Sequence, residues 1–109
     1  MNFKLVISMI KSQKTDRVVD AAKAAGATGA TIIPARGTGI REAKTFFGLT
    51  LEVQTDVVLF LLEEELIESV LAAIQEAGQF KDAGTGIAFV LNVEQTIGVR
   101  SQIEHLRQK

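Results

Sequence analysis

The chain has 109 residues, of which 47% are hydrophobic and 23% are charged, a composition typical of one globular domain with its own core. A formal net charge of -1 argues against binding to nucleic acid or to an anionic membrane surface, because both need clustered lysine and arginine. The absence of cysteine excludes disulfides and thiol catalysis and is typical of a cytoplasmic protein. No apolar run approaches the roughly 20 residues of a membrane span, so we do not expect membrane insertion.

The first part of the chain predicts a strand, a helix and a second strand. Residues 3–10 are apolar and rich in β-formers, which is typical of a strand. Apolar residues at helical spacing predict a helix over 16–25, with Thr15 or the next residue as its N-cap and a glycine after its last turn. Residues 30–33 predict a second strand, and Pro34 places it at a sheet edge because proline cannot donate a ladder hydrogen bond.

The second part predicts a connection followed by a strand, a helix and a last strand. Residues 40–50 show no sustained period, which indicates a long connection. Residues 51–55 alternate between apolar and polar, and residues 57–61 are continuously apolar, so 51–61 predict a central strand. Glutamates 63–65 favour a helix N-terminus, and the apolar stripe that follows predicts a helix over 66–77. The fourth strand is expected over 87–91.

This order, βαββαβ, predicts an α+β fold, namely a ferredoxin-like sandwich with one antiparallel sheet and both helices on one face. Right-handed crossovers give the strand order 4-1-3-2. Residues 1–109 form a single domain in this interpretation. The strands carry apolar residues on both faces, so we expect an oligomer built on the uncovered face of the sheet.

The tetrapeptide Gly-Thr-Gly-Ile occurs twice, at 37–40 after the second strand and at 84–87 before the fourth. The predicted topology puts both copies at the same end of the sheet but at opposite edges, about 14 Å apart for three strand spacings. Such turns expose backbone N–H groups that can bind phosphate or carboxylate, although Gly-x-Gly is also an ordinary turn. One subunit alone cannot close a small pocket with both copies unless its long loop folds over.

Several short motifs follow one another along the chain. They are VVDAAKAAG in the first helix, Gly29-Ala30-Thr31, Gly37-Thr38-Gly39, Gly84-Thr85-Gly86-Ile87-Ala88-Phe89-Val90, and Val93-Glu94 before Arg100. In this order they resemble the PII signal-transduction family, which consists of trimeric ferredoxin-like proteins that sense adenine nucleotides. The resemblance spans nearly the whole chain.

The resemblance implies a homotrimer with a ligand cleft between adjacent subunits. It implies a T-loop at about 38–50, a B-loop at about 80–86 and a C-terminal tail at about 98–109. The ligand residues that it implies are Thr31, Gly37, Thr38, Gly39, Gly84, Thr85, Gly86 and Arg100. The effector would be an adenine nucleotide such as AMP, ADP or ATP, with no obligatory cofactor. The T-loop, through Arg41, Phe46 and Phe47, would engage a partner such as a membrane transporter or an enzyme.

The chain also departs from the family pattern. The family's B-loop lysine falls on Ile87, its B-loop aspartate on Thr85 and its first C-terminal arginine on Gly98. Charge-assisted phosphate contacts are therefore fewer, which favours AMP, ADP or another small anion over a triphosphate. The T-loop is shortened, and Arg41 replaces the family's glutamine, which puts the magnesium and 2-oxoglutarate site in doubt. No tyrosine is present for uridylylation. We expect a PII-like paralogue rather than a classical nitrogen sensor.

Two other interpretations stay open. The chain could be a CutA-type or other ferredoxin-like trimer that binds no nucleotide and acts as a metal-tolerance or structural protein. It could also be a PII-like assembly that senses bicarbonate or another carboxylate through Arg36 and Arg41. His105 is the single histidine and lies in a polar tail, which argues against a metal site. Walker A and HExxH motifs are absent, and no catalytic triad can be assembled, so we do not expect an enzyme.

Overall fold

The computed structural model describes residues 2–35, 54–82 and 85–99, together with the backbone of 45–46 and 49–50. Its elements in chain order are β1 (Phe3–Lys11), α1 (Ser12–Ala24), β2 (Thr31–Ala35), β3 (Thr45–Phe46), β4 (Leu49–Thr50), β5 (Thr55–Glu63), a 3-10 turn (Glu64–Leu66), α2 (Ile67–Ala77) and β6 (Gly86–Asn92). The four longer strands and two helices follow the predicted order.

The main sheet is antiparallel, with the order β2-β5-β1-β6. Counted over the four longer strands, this is the predicted order 4-1-3-2, and it confirms the α+β, ferredoxin-like architecture. As predicted, β2 is at an edge and β5 is central. Pro34 lies inside β2 rather than after it, which an edge strand tolerates.

A small hairpin lies in the segment that we predicted to be an irregular connection. Its strands β3 and β4 have two residues each and pair antiparallel, with Thr45 opposite Thr50 and Phe46 opposite Leu49. Two-residue strands are too short to show a period of two in the sequence, so the pattern could not predict them.

The helix α1 begins four residues earlier than predicted. Its N-cap is Lys11, which makes no capping hydrogen bond through its side chain. Thr15, the predicted cap, lies inside the helix, and its hydroxyl donates to the Asp56 carboxylate at 2.6 Å. The Thr15 hydroxyl is therefore used in a buried tertiary bond rather than as a local cap. The expected glycine does follow the helix: Gly26 comes directly after the C-cap Ala25 and has a positive φ of 124°.

The core lies between the two helices and one face of the sheet. Its fully buried side chains include Val6 and Ile10 of β1, Val58, Phe60 and Leu62 of β5, Val18 and Ala22 of α1, and Val70 and Ile74 of α2. Glu63 ends β5 instead of starting the second helix, and it is buried. The two glutamates after it open the 3-10 turn, where their charge favours the N-terminal end.

The opposite face of the sheet is also apolar. Cross-strand pairing aligns Leu5, Ile7 and Met9 of β1 with Leu61, Leu59 and Val57 of β5 on one side and with Leu91, Phe89 and Ile87 of β6 on the other. Ile33 of β2 extends this row because it pairs with Val57. Both helices pack on the other side, so no helix of the described residues covers this surface. We call it the open face.

Candidate functional site

The two Gly-Thr-Gly-Ile segments adjoin the same end of the sheet. Ala35, the last residue of β2, pairs with Thr55, which pairs in turn with Lys11 at the end of β1. Gly86, the first residue of β6, pairs with Ile10 beside Lys11. The end of β2 and the start of β6 therefore share one rim, at opposite edges of the sheet, as the topology predicts.

Few of the predicted site residues fall in the described part of the chain. Thr31, Thr85 and Gly86 are described, and Phe46 is described in its backbone alone. Those that lie outside the described residues are Gly37, Thr38, Gly39, Arg41, Phe47, Gly84 and Arg100. For this second group the assignment stays a prediction.

Thr31 lies apart from the rim. It begins β2 and pairs with Leu59 in the middle of β5, four positions before Ala35, which is about 13 Å along a strand. It is exposed, and the alternation of the strand puts it on the open face. Gly86 stands at the rim on the other edge, so the structure does not bring these two residues together within one chain.

Thr85 holds its own loop together. The residue is 6% exposed, and its hydroxyl lies 2.7 Å from the carbonyl oxygen of Gln79 and 2.9 Å from that of Asp82. Its backbone N–H also points to the Asp82 carbonyl at 3.4 Å. The hydroxyl therefore has an internal role, and the Thr85 side chain is turned towards the loop.

The ring of Phe80 explains why positions 78 and 86 are both glycine. A Cβ atom built on Gly78 would lie 2.4 Å from Cε1 of Phe80, and one built on Gly86 would lie 2.5 Å from the same atom. Both distances are far below ordinary van der Waals contact. The ring also packs against the core, and it lies beside both glycine positions. Gly86 is required here by packing, whether or not it also approaches a ligand.

Lys14 reaches this loop from the first turn of α1. Its Nζ donates to Oε1 of Gln79 at 2.7 Å and to the carbonyl oxygen of Gly78 at 3.3 Å. The sequence interpretation missed both Lys14 and Phe80. A signal was present for each: a cation in a first helical turn opposes the macrodipole, and a phenylalanine is unusual in a polar loop.

A shallow concavity of about 640 Å³ lies beside the loop, on the side of α2. Its lining comprises Ala72, Gln75, Glu76, Gln79, Lys81 and Asp82. Two carboxylates and one ammonium group give this surface mixed charge, which does not favour a polyanion. Among the described residues, no group of three acidic, histidine or cysteine side chains could hold a metal ion.

The element order, the sheet topology and the helices on one face define a ferredoxin-like α+β protein. A family model described as nitrogen regulatory protein P-II matches residues 3–103. The chain therefore belongs to the PII family and is a PII-family signalling protein.

Individual relatives agree with this assignment. The chain is 33% identical over 103 residues to the nitrogen regulatory protein P-II of Rhizobium meliloti (strain 1021), covering 90% of this chain and 92% of that protein. It is 30% identical over 107 residues to the protein of the same name from Haemophilus influenzae, with 94% and 96% covered. Among solved structures, a protein described as a PII-like signalling protein of Thermus thermophilus superposes with a TM-score of 0.64 at 33% identity, covering 85% of this chain and 88% of that one.

The family is one of regulatory proteins, which sets the kind of function to consider. In the part of the chain that the structure describes, no helix is both long and apolar enough to cross a membrane.

Proposed function

We propose that this protein is a cytoplasmic PII-like regulator whose homotrimer binds an adenine nucleotide in clefts between subunits. The observation that carries the proposal is the shared rim, where β2 ends at Ala35 and β6 begins at Gly86. The first Gly-Thr-Gly-Ile segment, 37–40, follows β2 in the chain, and the second, 84–87, runs into the start of β6. No cofactor is obligatory in this account, and the nucleotide acts as an effector.

The geometry of the rim favours a cleft made by two chains. Three strand spacings, about 14 Å, separate β2 from β6, which is too wide for the two segments to enclose one phosphate group. A neighbouring chain that brings its own β2 edge against β6 would supply the missing wall. The open face gives the surface for such an assembly, because Ile33, Phe89 and Leu91 are 45%, 36% and 48% exposed.

The ligand would be held mainly by main-chain N–H groups and few cations. Ile87, at the position of the family's B-loop lysine, is an apolar residue of β6. Gly98, at the position of a family arginine, has a φ of 79°, a conformation that side chains other than glycine rarely adopt. Arg100 is the cation that remains of the three. Because two of the three cations are missing, we expect a nucleoside mono- or diphosphate to bind more tightly than a triphosphate.

Binding would act on a partner through the T-loop, residues 38–50. A ligand that contacts the loop root better in one arrangement shifts the population towards it. Arg41, Phe46 and Phe47 would then meet a membrane transporter or an enzyme. This step is supported by the family membership and by the loop's attachment at the same rim as the proposed cleft.

Isothermal titration of the purified protein tests the proposal. AMP, ADP, ATP and cyclic nucleotides would be titrated with and without bicarbonate, against the wild type, Arg100→Ala and the control Arg17→Ala. Arg17 is an exposed arginine of α1. We expect micromolar binding by the wild type and by Arg17→Ala, and at least about tenfold weaker binding by Arg100→Ala, because a charge-assisted bond is lost. If the wild type binds none of these nucleotides, the proposal is overturned.

A further inference from the structure

We propose that Lys14 is a positioning residue that orders the loop before β6 and so presets the backbone that a ligand would meet at the rim. The part of this inference that concerns the ligand rests on the proposed function. The part that concerns the loop rests on contacts within the chain.

The contacts form a relay from α1 to Thr85. Lys14 donates to the Gln79 side chain at 2.7 Å, and the Gln79 carbonyl oxygen receives the Thr85 hydroxyl at 2.7 Å. The same Gln79 carbonyl also accepts the backbone N–H of Asp82 at 3.0 Å. Gln79 is thus the node through which a helix side chain reaches Thr85.

Gln79 needs such support because its backbone is strained. Its φ is 56°, and it is the non-glycine residue with a positive φ in the described ranges. Glutamine rarely adopts this left-handed conformation, which persists where surrounding contacts over-determine it. Here the side chain is fixed by Lys14, the carbonyl by Thr85 and Asp82, and the N–H by the Glu76 carbonyl oxygen at 3.2 Å.

The position of Lys14 is electrostatically unfavourable for the helix itself. It lies in the first turn of α1, where a cation opposes the macrodipole and where the helix itself has no acidic residue. Its bond to the Gly78 carbonyl oxygen is part-buried and its bond to the Gln79 side chain is exposed, and they cross 64 and 65 positions of sequence. The residue therefore serves the loop rather than the helix that carries it.

Hydrogen–deuterium exchange of the ligand-free protein tests the relay. We compare wild type, Lys14→Met, which keeps the apolar stem, and Lys14→Arg, which keeps the charge. Lys23→Met is the matched control, because Lys23 is an exposed lysine near the other end of the same helix. We expect exchange in residues 78–86 to quicken about tenfold in Lys14→Met, equivalent to about 1.4 kcal/mol. Lys14→Arg should restore part of the protection, and Lys23→Met should match the wild type.

Thr85 provides the other end of the test. Thr85→Val keeps the shape and removes the hydroxyl, whereas Thr85→Ser keeps the hydroxyl. In a single relay, the double variant Lys14→Met/Thr85→Val exchanges no faster than the more affected single variant. Effects that multiply independently would contradict the relay. Equal acceleration in β1 and β5 would also contradict it, because the lysine would then support only general stability.

Titration with nucleotide distinguishes a failure of this inference from a failure of the proposed function. ADP is titrated into wild type, Lys14→Met and Lys14→Arg. We expect about tenfold weaker binding in Lys14→Met and partial rescue in Lys14→Arg, in parallel with exchange. Unchanged affinity in a loop that has become mobile would overturn the positioning role. If the wild type binds no nucleotide, the proposed function fails, while the exchange data still decide whether Lys14 orders the loop.

Discussion

Buried hydrogen-bonding groups show how single residues shape the rim. The Thr15 hydroxyl and the Asp56 carboxylate meet at 2.6 Å across 41 positions of sequence, and the two residues are 4% and 8% exposed. A buried carboxylate that loses a donor keeps its desolvation cost without the compensating bond. The bond thus ties the first turn of α1 to the strand beside β2.

We predict that Thr15→Val lowers the free energy of unfolding by about 1.5–3 kcal/mol, because it leaves the buried Asp56 carboxylate without this donor. Thr15→Ser keeps the hydroxyl and should cost much less. Urea denaturation of the three proteins measures both changes. Equal stability of Thr15→Val and wild type would show that the bond contributes nothing.

Ser8 offers the opposite case. It is fully buried in β1 on the helix-facing side, and its Oγ has no hydrogen-bond partner. We predict that Ser8→Ala raises the free energy of unfolding by about 1 kcal/mol, since an unsatisfied hydroxyl is removed from the core. Ser69→Ala is the comparison, because the Ser69 hydroxyl contacts the Leu66 and Ala25 carbonyl oxygens and its loss should not stabilise. A Ser8→Ala protein that melts earlier than wild type would contradict the prediction.

These residues also mark the limit of sequence interpretation. Thr15 precedes an apolar helical stripe and is of the type that caps helices, so a local rule made it the cap. The competing partner, Asp56, is distant in sequence, and no local pattern reveals it. Lys14 carried a local signal, a cation in a first helical turn, but the signal does not reveal its partners, which belong to a loop more than 60 positions away.

At the scale of elements, hydrophobic periodicity was sufficient for the longer strands and both helices. β1 and β6 extend the predicted strands by one or two residues, and α2 differs from its prediction by one residue at the start. The central strand was predicted over 51–61, whereas β5 begins at Thr55 and ends at Glu63. The hairpin of β3 and β4 was missed because so short a pairing leaves no period. Glu63 was assigned to the helix because its neighbours are glutamates, yet the register continues β5 through it.

The loop before β6 permits a sharp test at this scale. We predict that Gly86→Ala lowers the free energy of unfolding by about 1–3 kcal/mol, because its Cβ would meet Phe80 at 2.5 Å. Gly29→Ala is the control, since nothing lies within 4 Å of a Cβ there. Chemical denaturation compares the two.

Adding Phe80→Ala identifies the cause. The double variant Phe80→Ala/Gly86→Ala should lose less stability than the sum of its two single variants, because the ring that clashes has gone. Additive losses would show that Gly86 is needed for another reason.

For the whole molecule, the open face is the feature that one chain leaves incomplete. Ile32 and Ile33 are neighbours in β2 with nearly equal exposure, 44% and 45%, but they lie on opposite faces of the sheet. Ile33 pairs with Val57 on the open face, whereas Ile32 pairs with the core residue Val58. The two positions therefore make a matched pair for testing assembly.

We predict that the wild type sediments at three times the 11.8 kDa mass of the chain and that Ile33→Lys shifts it towards the monomer. A buried, unpaired lysine is costly in an apolar interface. Ile32→Lys should keep the assembly of the wild type. Sedimentation equilibrium measures all three. A monomeric wild type, or equal loss in both variants, would count against assembly through the open face.

The topology predicted the shared rim better than the side chains that shape it. Strand order alone brings the ends of β2 and β6 to one rim, and the structure confirms this. It could not show that Thr85 is turned into its own loop or that Phe80 fixes Gly86, because these follow from side-chain packing. Nor could it show that Thr31 stands about 13 Å from the rim along its strand.

Titration of ADP into wild type and Leu91→Lys shows whether nucleotide binds between subunits. Leu91 is 48% exposed on the open face and five positions along β6 from Gly86, about 17 Å away, so its replacement affects assembly without touching the rim. The account predicts one nucleotide per chain in the assembled wild type and at least about tenfold weaker binding in a dissociated Leu91→Lys protein. Equal affinity and stoichiometry in a monomeric Leu91→Lys protein would contradict it.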